Sequence, residues 1–261
     1  YFNLQKIFLG EKYYKYFSIC LFINIILPFL HFFLLNGKGF ILFSNIIGII
    51  IFFSFLVFLK NINFKKKNFN FHKGEILVFV LVFLFFLSSL GPITNADSLD
   101  YHSGVALYAL NFDTYPTTKI WFHSVQSGAG ESIIALSFYF KSEQFGSLIQ
   151  FSGILPILGV FSFVLDKYKK NKDILNYIFI LIALSCPIFI QLITSIKPQM
   201  FQIGSVTFIF ALTFFLNDIK NLKEKILVYS VVFLFLGNAF ISKYYFLLSS
   251  TILIIFFTLN N

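Results

Sequence analysis

Arginine is absent from this sequence: all twenty basic residues are lysine, set against eleven acidic residues for a formal charge of +9. Charge of either sign is scarce, at 12% of 261 residues. That is about half the share carried by a soluble domain, which excludes a globular fold with an ordinary hydrated surface. Cysteine is nearly missing too. Cys20 and Cys186 each lie inside an apolar stretch, without metal-ligand or redox spacing, so both read as buried packing residues. A dinucleotide fingerprint is also excluded, because Gly128-Ala129-Gly130 has neither the preceding strand nor the third glycine.

What the chain has instead is apolar bulk. Hydrophobic residues make up 58% of it, 41 of them phenylalanine, and the mean hydropathy is +0.84. The lysine-only basic set with abundant Phe, Ile and Asn resembles AT-biased coding in a bacterium. Apolar stretches near the ~20 residues needed to cross a bilayer recur along the sequence. Backbone groups in lipid must be satisfied within the segment, so these stretches are expected to be helices. The expectation is an all-α, polytopic integral membrane protein with about eight spans, at residues 17–36, 40–59, 76–93, 145–165, 174–194, 200–217, 226–242 and 246–259. Residues 1–261 read as one transmembrane domain. The chain opens on Tyr1 and stops at Asn261 just past an apolar run, and is expected to be a fragment lacking its C-terminal part.

Lysine position sets orientation. Lys6, Lys12 and Lys15 precede the first segment. Lys60, Lys65, Lys66, Lys67 and Lys73 separate the second and third, Lys167, Lys169, Lys170 and Lys172 the fourth and fifth, and Lys220, Lys223 and Lys225 the sixth and seventh. With one crossing per segment, all four clusters fall on one side. That side is expected to be the cytoplasm of a bacterial inner membrane, with the N-terminus inside. Lysines used this way do not form a nucleic-acid surface, and no nucleic-acid partner is expected.

The opposite side receives the one long connection, residues 94–144, which holds five of the eleven acidic residues: Asp97, Asp100, Asp113, Glu131 and Glu143. Long loops in tight proteins are usually functional. Within it, Ser132–Phe140 is apolar but only about 14 Å long as a helix, too short to cross, and is expected to lie in the membrane interface. Asn95-Ala96-Asp97-Ser98-Leu99-Asp100-Tyr101-His102 follows the third segment directly. On a helix, Asp97 and Asp100 are i,i+3 neighbours, with Tyr101 at i+4 from Asp97. Such a pair can act as a general base or hold a divalent cation. It can equally be a helix start, with Asp97 the cap and Asp100 complementing the dipole. His102 adds an imidazole beside the carboxylates. Further on, Trp121, Tyr115 and Phe122, next to His123, read as interfacial anchors. Glu131 is either an N-terminal helix charge or a third carboxylate of the same site. Lys197 and Lys243 also sit on this outer side, away from the four lysine clusters. Each either snorkels to the interface or binds phosphate.

An acidic motif opening the first large outer loop, followed by interfacial helices, resembles the GT-C superfamily of membrane glycosyltransferases, which includes protein mannosyltransferases and lipid A aminoarabinose transferases. The resemblance covers residues 76–259 and implies a polyprenyl-phosphate-linked sugar donor and a lipid, glycan or protein acceptor outside the cytoplasmic membrane. It implies Asp97 or Asp100 as the base, Lys197 and Lys243 at the donor phosphate, and His102 and Glu131 positioning acceptor or sugar. Two spans precede the one leading into the loop, unlike the well-known members. Lys197 also stands where the aminoarabinose transferases carry an acidic residue near a metal, which leaves a divalent metal ion open and no cofactor certain. Two readings compete: a transporter or flippase for a lipid-linked sugar, and a non-catalytic membrane subunit.

Overall fold

The computed structural model of the chain describes residues 11–37, 39–61, 73–122, 124, 127–168, 174–213 and 221–259. Lys6, Lys65, Lys66, Lys67, His123, Lys169, Lys170, Lys172, Lys220 and the end of the 200–217 segment lie outside them. Among the described residues every regular element is helical. In chain order they are α1 (Glu11–Asn36), α2 (Phe40–Asn61), α3 (Lys73–Ser89), α4 (Ser103–Phe112), α5 (Gly130–Tyr139), α6 (Glu143–Ser152), α7 (Ile154–Tyr168), α8 (Ile174–Leu184), α9 (Pro187–Ile193), α10 (Met200–Thr213), α11 (Leu222–Ser242) and α12 (Phe246–Leu259). A π-helical turn, Ser98–His102, leads into α4.

Four stretches are long and apolar enough to cross a bilayer: Lys15–Asn36, Phe40–Val57, Glu143–Asp166 across α6 and α7, and Leu222–Ser242. The expected count of about eight spans is not reached among the described residues. α3 has 17 residues, about 26 Å of helix against a hydrocarbon core near 30 Å. Within the described residues α10 and α12 hold 14 residues each. The fifth apolar segment is divided. Pro187 opens α9 without an N–H to continue α8, and it holds Cys186 in an extended conformation (φ −60°, ψ 124°). The apolar helices as a set are compatible with a multi-pass membrane protein. Cys20 is buried as expected, whereas Cys186 is exposed at this break rather than packed inside.

α1 lies against the protein interior along its length, with Phe17, Leu27, Leu30 and Leu34 all buried and Phe17 stacked on Phe208 of α10. Pro28 sits inside this helix. Its missing N–H leaves the Asn24 carbonyl without a helical donor. The vacancy is filled from another helix: Asn238 Nδ2 of α11 donates to Asn24 O at 2.6 Å and to Asn24 Oδ1 at 3.1 Å. Asn24 Nδ2 in turn donates to Ser205 Oγ of α10 at 3.0 Å. A helix defect and two side chains thus join α1, α10 and α11 in an apolar interior, where a carbonyl finds no water. Nearby, α10 crosses the α6–α7 junction at two glycines. A Cβ on Gly153 would stand 2.3 Å from Met200 O, and one on Gly204 the same distance from Gly153 O.

α2 and α3 lie outermost. α2 exposes Phe52, Phe53 and Phe55, and α3 exposes Phe79, Phe83 and Leu84, as lipid-facing helices do. The connection from 94 to 144 folds back into the bundle: α4 packs on α5, and α5 packs on α1 and α6. The expected interfacial helix is α5. It is too short to cross, and every residue from Gly130 to Ser137 is buried in the protein. Its apolar face closes one core cluster through Ile134, Ala135 and Leu136, and a second through Ala129 and Ile133.

Candidate functional site

α1, α3 and α11 run toward the same end of the bundle, and α10 starts there. At the other end Tyr13 donates to Asp166, and Tyr177 donates to Glu75 at 3.1 Å. The polar residues of the loop collect at the first end, around Glu131 in the opening turn of α5.

Glu131 has no exposed surface. Three donors converge on its carboxylate. Lys243 Nζ reaches Oε1 at 2.7 Å, His102 Nδ1 reaches the same oxygen at 3.1 Å, and the Gly128 N–H reaches Oε2 at 2.8 Å. Burial pushes the Glu131 carboxyl up, but the His102 hydrogen bond and the Lys243 charge outweigh it and hold the group below the usual carboxylate range. A carboxylate only accepts, so His102 carries its proton on Nδ1 and presents Nε2 as a lone pair. Burial also pushes His102 below the ordinary imidazole value, and Lys243 adds to this. The resting cluster therefore pairs a carboxylate with a neutral imidazole, with Lys243 Nζ on the same carboxylate oxygen.

A second layer holds these three in place. Lys243 ends α11 with extended backbone. Its Nζ also donates to Tyr101 OH at 3.3 Å and lies 5.0 Å from the Tyr101 ring centre. Tyr115 OH donates to Gly128 O at 2.8 Å. Its single proton is then committed, so the 3.1 Å contact with His31 Nδ1 of α1 is donated by the histidine. Gly128 touches the end of α11 so closely that a Cβ there would stand 2.3 Å from Ile241 O. The Ala129 N–H donates to that same carbonyl at 2.9 Å.

Asp97 and Lys197 form the outer edge of the site. Lys197 Nζ lies 2.5 Å from Asp97 Oδ2, with 57% of the aspartate side chain exposed and 13% of the lysine. Lys197 holds the Asp97 carboxyl below its ordinary value, and Lys243 is near enough to add to this.

Of the six residues singled out from the sequence, five assemble here: Asp97, His102, Glu131, Lys197 and Lys243. Asp100 does not. The expected Asp97–Asp100 face assumes a regular helix, whereas the segment winds as a π turn in which the Ser103 N–H and Oγ both return to Ser98 O. That wider turn buries Tyr101 and His102 and leaves Asp100 exposed. Asp97 does not cap the turn through its side chain either. Lys243 is buried on Glu131 rather than open at the surface, so Lys197 is the more accessible of the two cations. Trp121 folds back against Gly104. A divalent cation finds no cluster of three suitable ligands among the described residues. The sequence reading missed His31 and the supporting role of Tyr115. A histidine inside an otherwise uncharged span was the available signal for the first.

The DUF1420 N-terminal domain matches residues 51–260, well over half of the chain. The chain belongs to that family. The match takes in every residue of the cluster except His31 of α1, which precedes it. No curated protein and no solved structure matches the chain.

Proposed function

We propose that this DUF1420 family protein is a membrane glycosyltransferase of the GT-C kind, moving a sugar from a polyprenyl-phosphate donor to an acceptor hydroxyl outside the bacterial cytoplasmic membrane. The observation that carries the reading is the gathering of Asp97, Lys197, His102, Glu131 and Lys243 at one end of an apolar helix bundle. Sugar transfer from a lipid phosphate needs a cation where the leaving phosphate gains charge and a group that accepts the acceptor's proton, both held in a water-poor site. Lys197 is the phosphate ligand of this proposal. Asp97 neutralises Lys197 before the donor arrives and contacts acceptor or sugar once the phosphate takes its place. Lys243 acts from beneath by fixing Glu131. Under the lysine orientation rule the site is extracytoplasmic, because α1 runs toward it from the lysine-rich N-terminal side. The partners are then membrane lipid and the lipid-linked donor.

The transporter or flippase reading has one observation in its favour, the break between α8 and α9 inside an apolar segment. Cys186 at that break is exposed, however, and the charged cluster sits at the bundle end rather than midway. The deciding experiment uses the full-length protein in proteoliposomes with a radiolabelled polyprenyl-phosphate hexose and extracted acceptor lipid or glycan. Transfer by the wild type, reduced in Asp97→Asn through a weaker hold on acceptor or sugar and retained in Asp100→Asn, is the expected result. Movement of the donor between leaflets without transfer would favour the transporter, and neither activity would favour a non-catalytic subunit.

A further inference from the structure

We propose that His102, through Nε2, is the base of this site and that Glu131 is the positioning residue that keeps it competent. The inference deepens the glycosyl-transfer reading and rests on it for the identity of the hydroxyl that gives up the proton.

The geometry separates His102 from the aspartates as a proton acceptor. Asp97 is already engaged 2.5 Å from Lys197, and Asp100 stands apart and exposed. His102 is bound through Nδ1 to a carboxylate 3.1 Å away that can only accept, so one tautomer is enforced and the lone pair falls on Nε2. Glu131 cannot rotate to release it. The Gly128 N–H holds its second oxygen at 2.8 Å, Lys243 holds the first at 2.7 Å, and Gly128 is itself fixed by Tyr115.

The groups acting on His102 come from four directions: Glu131 from α5, Lys243 from the end of α11, Asp97 from its own loop, and the adjacent Tyr101 ring with its centre 4.4 Å away. Burial and Lys243 favour the neutral ring at rest, as a base requires. Glu131 and Asp97 favour the imidazolium once the proton arrives. A weakly basic carboxylate already paired with lysine offers neither feature.

In the proposed step the acceptor O–H bond breaks as an N–H bond forms on Nε2. The acceptor oxygen bonds to the anomeric carbon, and the carbon–oxygen bond to phosphate breaks. Its electron pair leaves on the polyprenyl phosphate beside Lys197, and the imidazolium later returns its proton to water.

Two measurements on the full-length protein test this. The first is acylation of His102 by diethyl pyrocarbonate as a function of pH, read by peptide mass spectrometry. The second is the pH profile of transfer from radiolabelled polyprenyl-phosphate hexose. Folded wild type is expected to be acylated at His102, with acylation and transfer falling along the same acid limb. His102→Gln should lose about 10²–10⁴-fold in transfer together with that limb. Glu131→Gln should keep a reactive His102 but move the limb to lower pH, because the anion that favours the imidazolium is gone. A merely structural Glu131 would lower activity without moving the limb. Transfer that persists with its acid limb in His102→Gln overturns the base and leaves the glycosyltransferase reading standing. A wild type that transfers nothing overturns the glycosyltransferase reading, and a Glu131-dependent acylation profile would still support the base. A His102 that resists acylation in the folded protein overturns the base in either case.

Discussion

Asn238 and Pro28 are predicted to be energetically coupled although they lie on different helices. Pro28 has no N–H for the Asn24 carbonyl, and Asn238 Nδ2 supplies the donor at 2.6 Å while also reaching Asn24 Oδ1 at 3.1 Å. Both asparagines are buried. Asn238→Leu keeps a side chain of similar size and removes the donor, which strands a carbonyl away from water. Such an orphan costs about 1–3 kcal/mol. Pro28→Ala restores a helical N–H to the same carbonyl. In the Pro28→Ala background the Asn238→Leu loss should therefore shrink by at least ~1 kcal/mol. Unfolding midpoints of the four proteins in one detergent, by heat or by titration with a denaturing detergent, give the coupling directly. Additivity within about 0.5 kcal/mol would refute the reasoning, because the two residues would then not share the carbonyl.

The cluster just beyond these asparagines gives three further expectations. Lys243→Met leaves Glu131 as a buried anion with only His102 and one backbone N–H. It should cost about 3–5 kcal/mol, and adding Glu131→Leu should recover much of this, as read from the same unfolding midpoints. Stability should fall on acidification in two stages. His102 is held below its ordinary 6.5, so below that pH the unfolded chain binds more protons and stability begins to drop. Glu131 is held below its ordinary 4.5, so its contribution is complete above that pH and is lost as pH falls through its folded value. A melting midpoint that rises between neutral pH and mild acid would contradict the first sign, and one that rises below pH 4.5 the second. Asp100→Cys, in a background without Cys20 and Cys186, should react with a membrane-impermeant maleimide in intact cells, since Asp100 is exposed at the site end. Labelling only after permeabilisation would put the site on the cytoplasmic side.

Composition was enough to establish an all-helical chain of membrane character, because a bilayer admits few backbone solutions and low charge with long apolar runs selects the helical one. Residue type and the side of the membrane expected from lysine position also marked Asp97, Lys197, Lys243 and Glu131 as candidates before any fold was known. Partnership was a different matter. Lys243 pairs with Glu131 across 112 residues, and nothing local in the sequence encodes a contact made by the end of α11 against the start of α5. A one-residue widening into a π turn chose His102 over Asp100, a difference that i,i+3 spacing on a regular helix cannot register. Helix length was likewise decided in three dimensions. Pro187 could be read as a breaker, but whether an apolar run stays one helix or divides depends on which neighbours satisfy the freed backbone groups. At Pro28 a neighbour does, through Asn238, and α1 continues unbroken. At Pro187 the residue before the proline turns to extended backbone, and the span becomes two short helices.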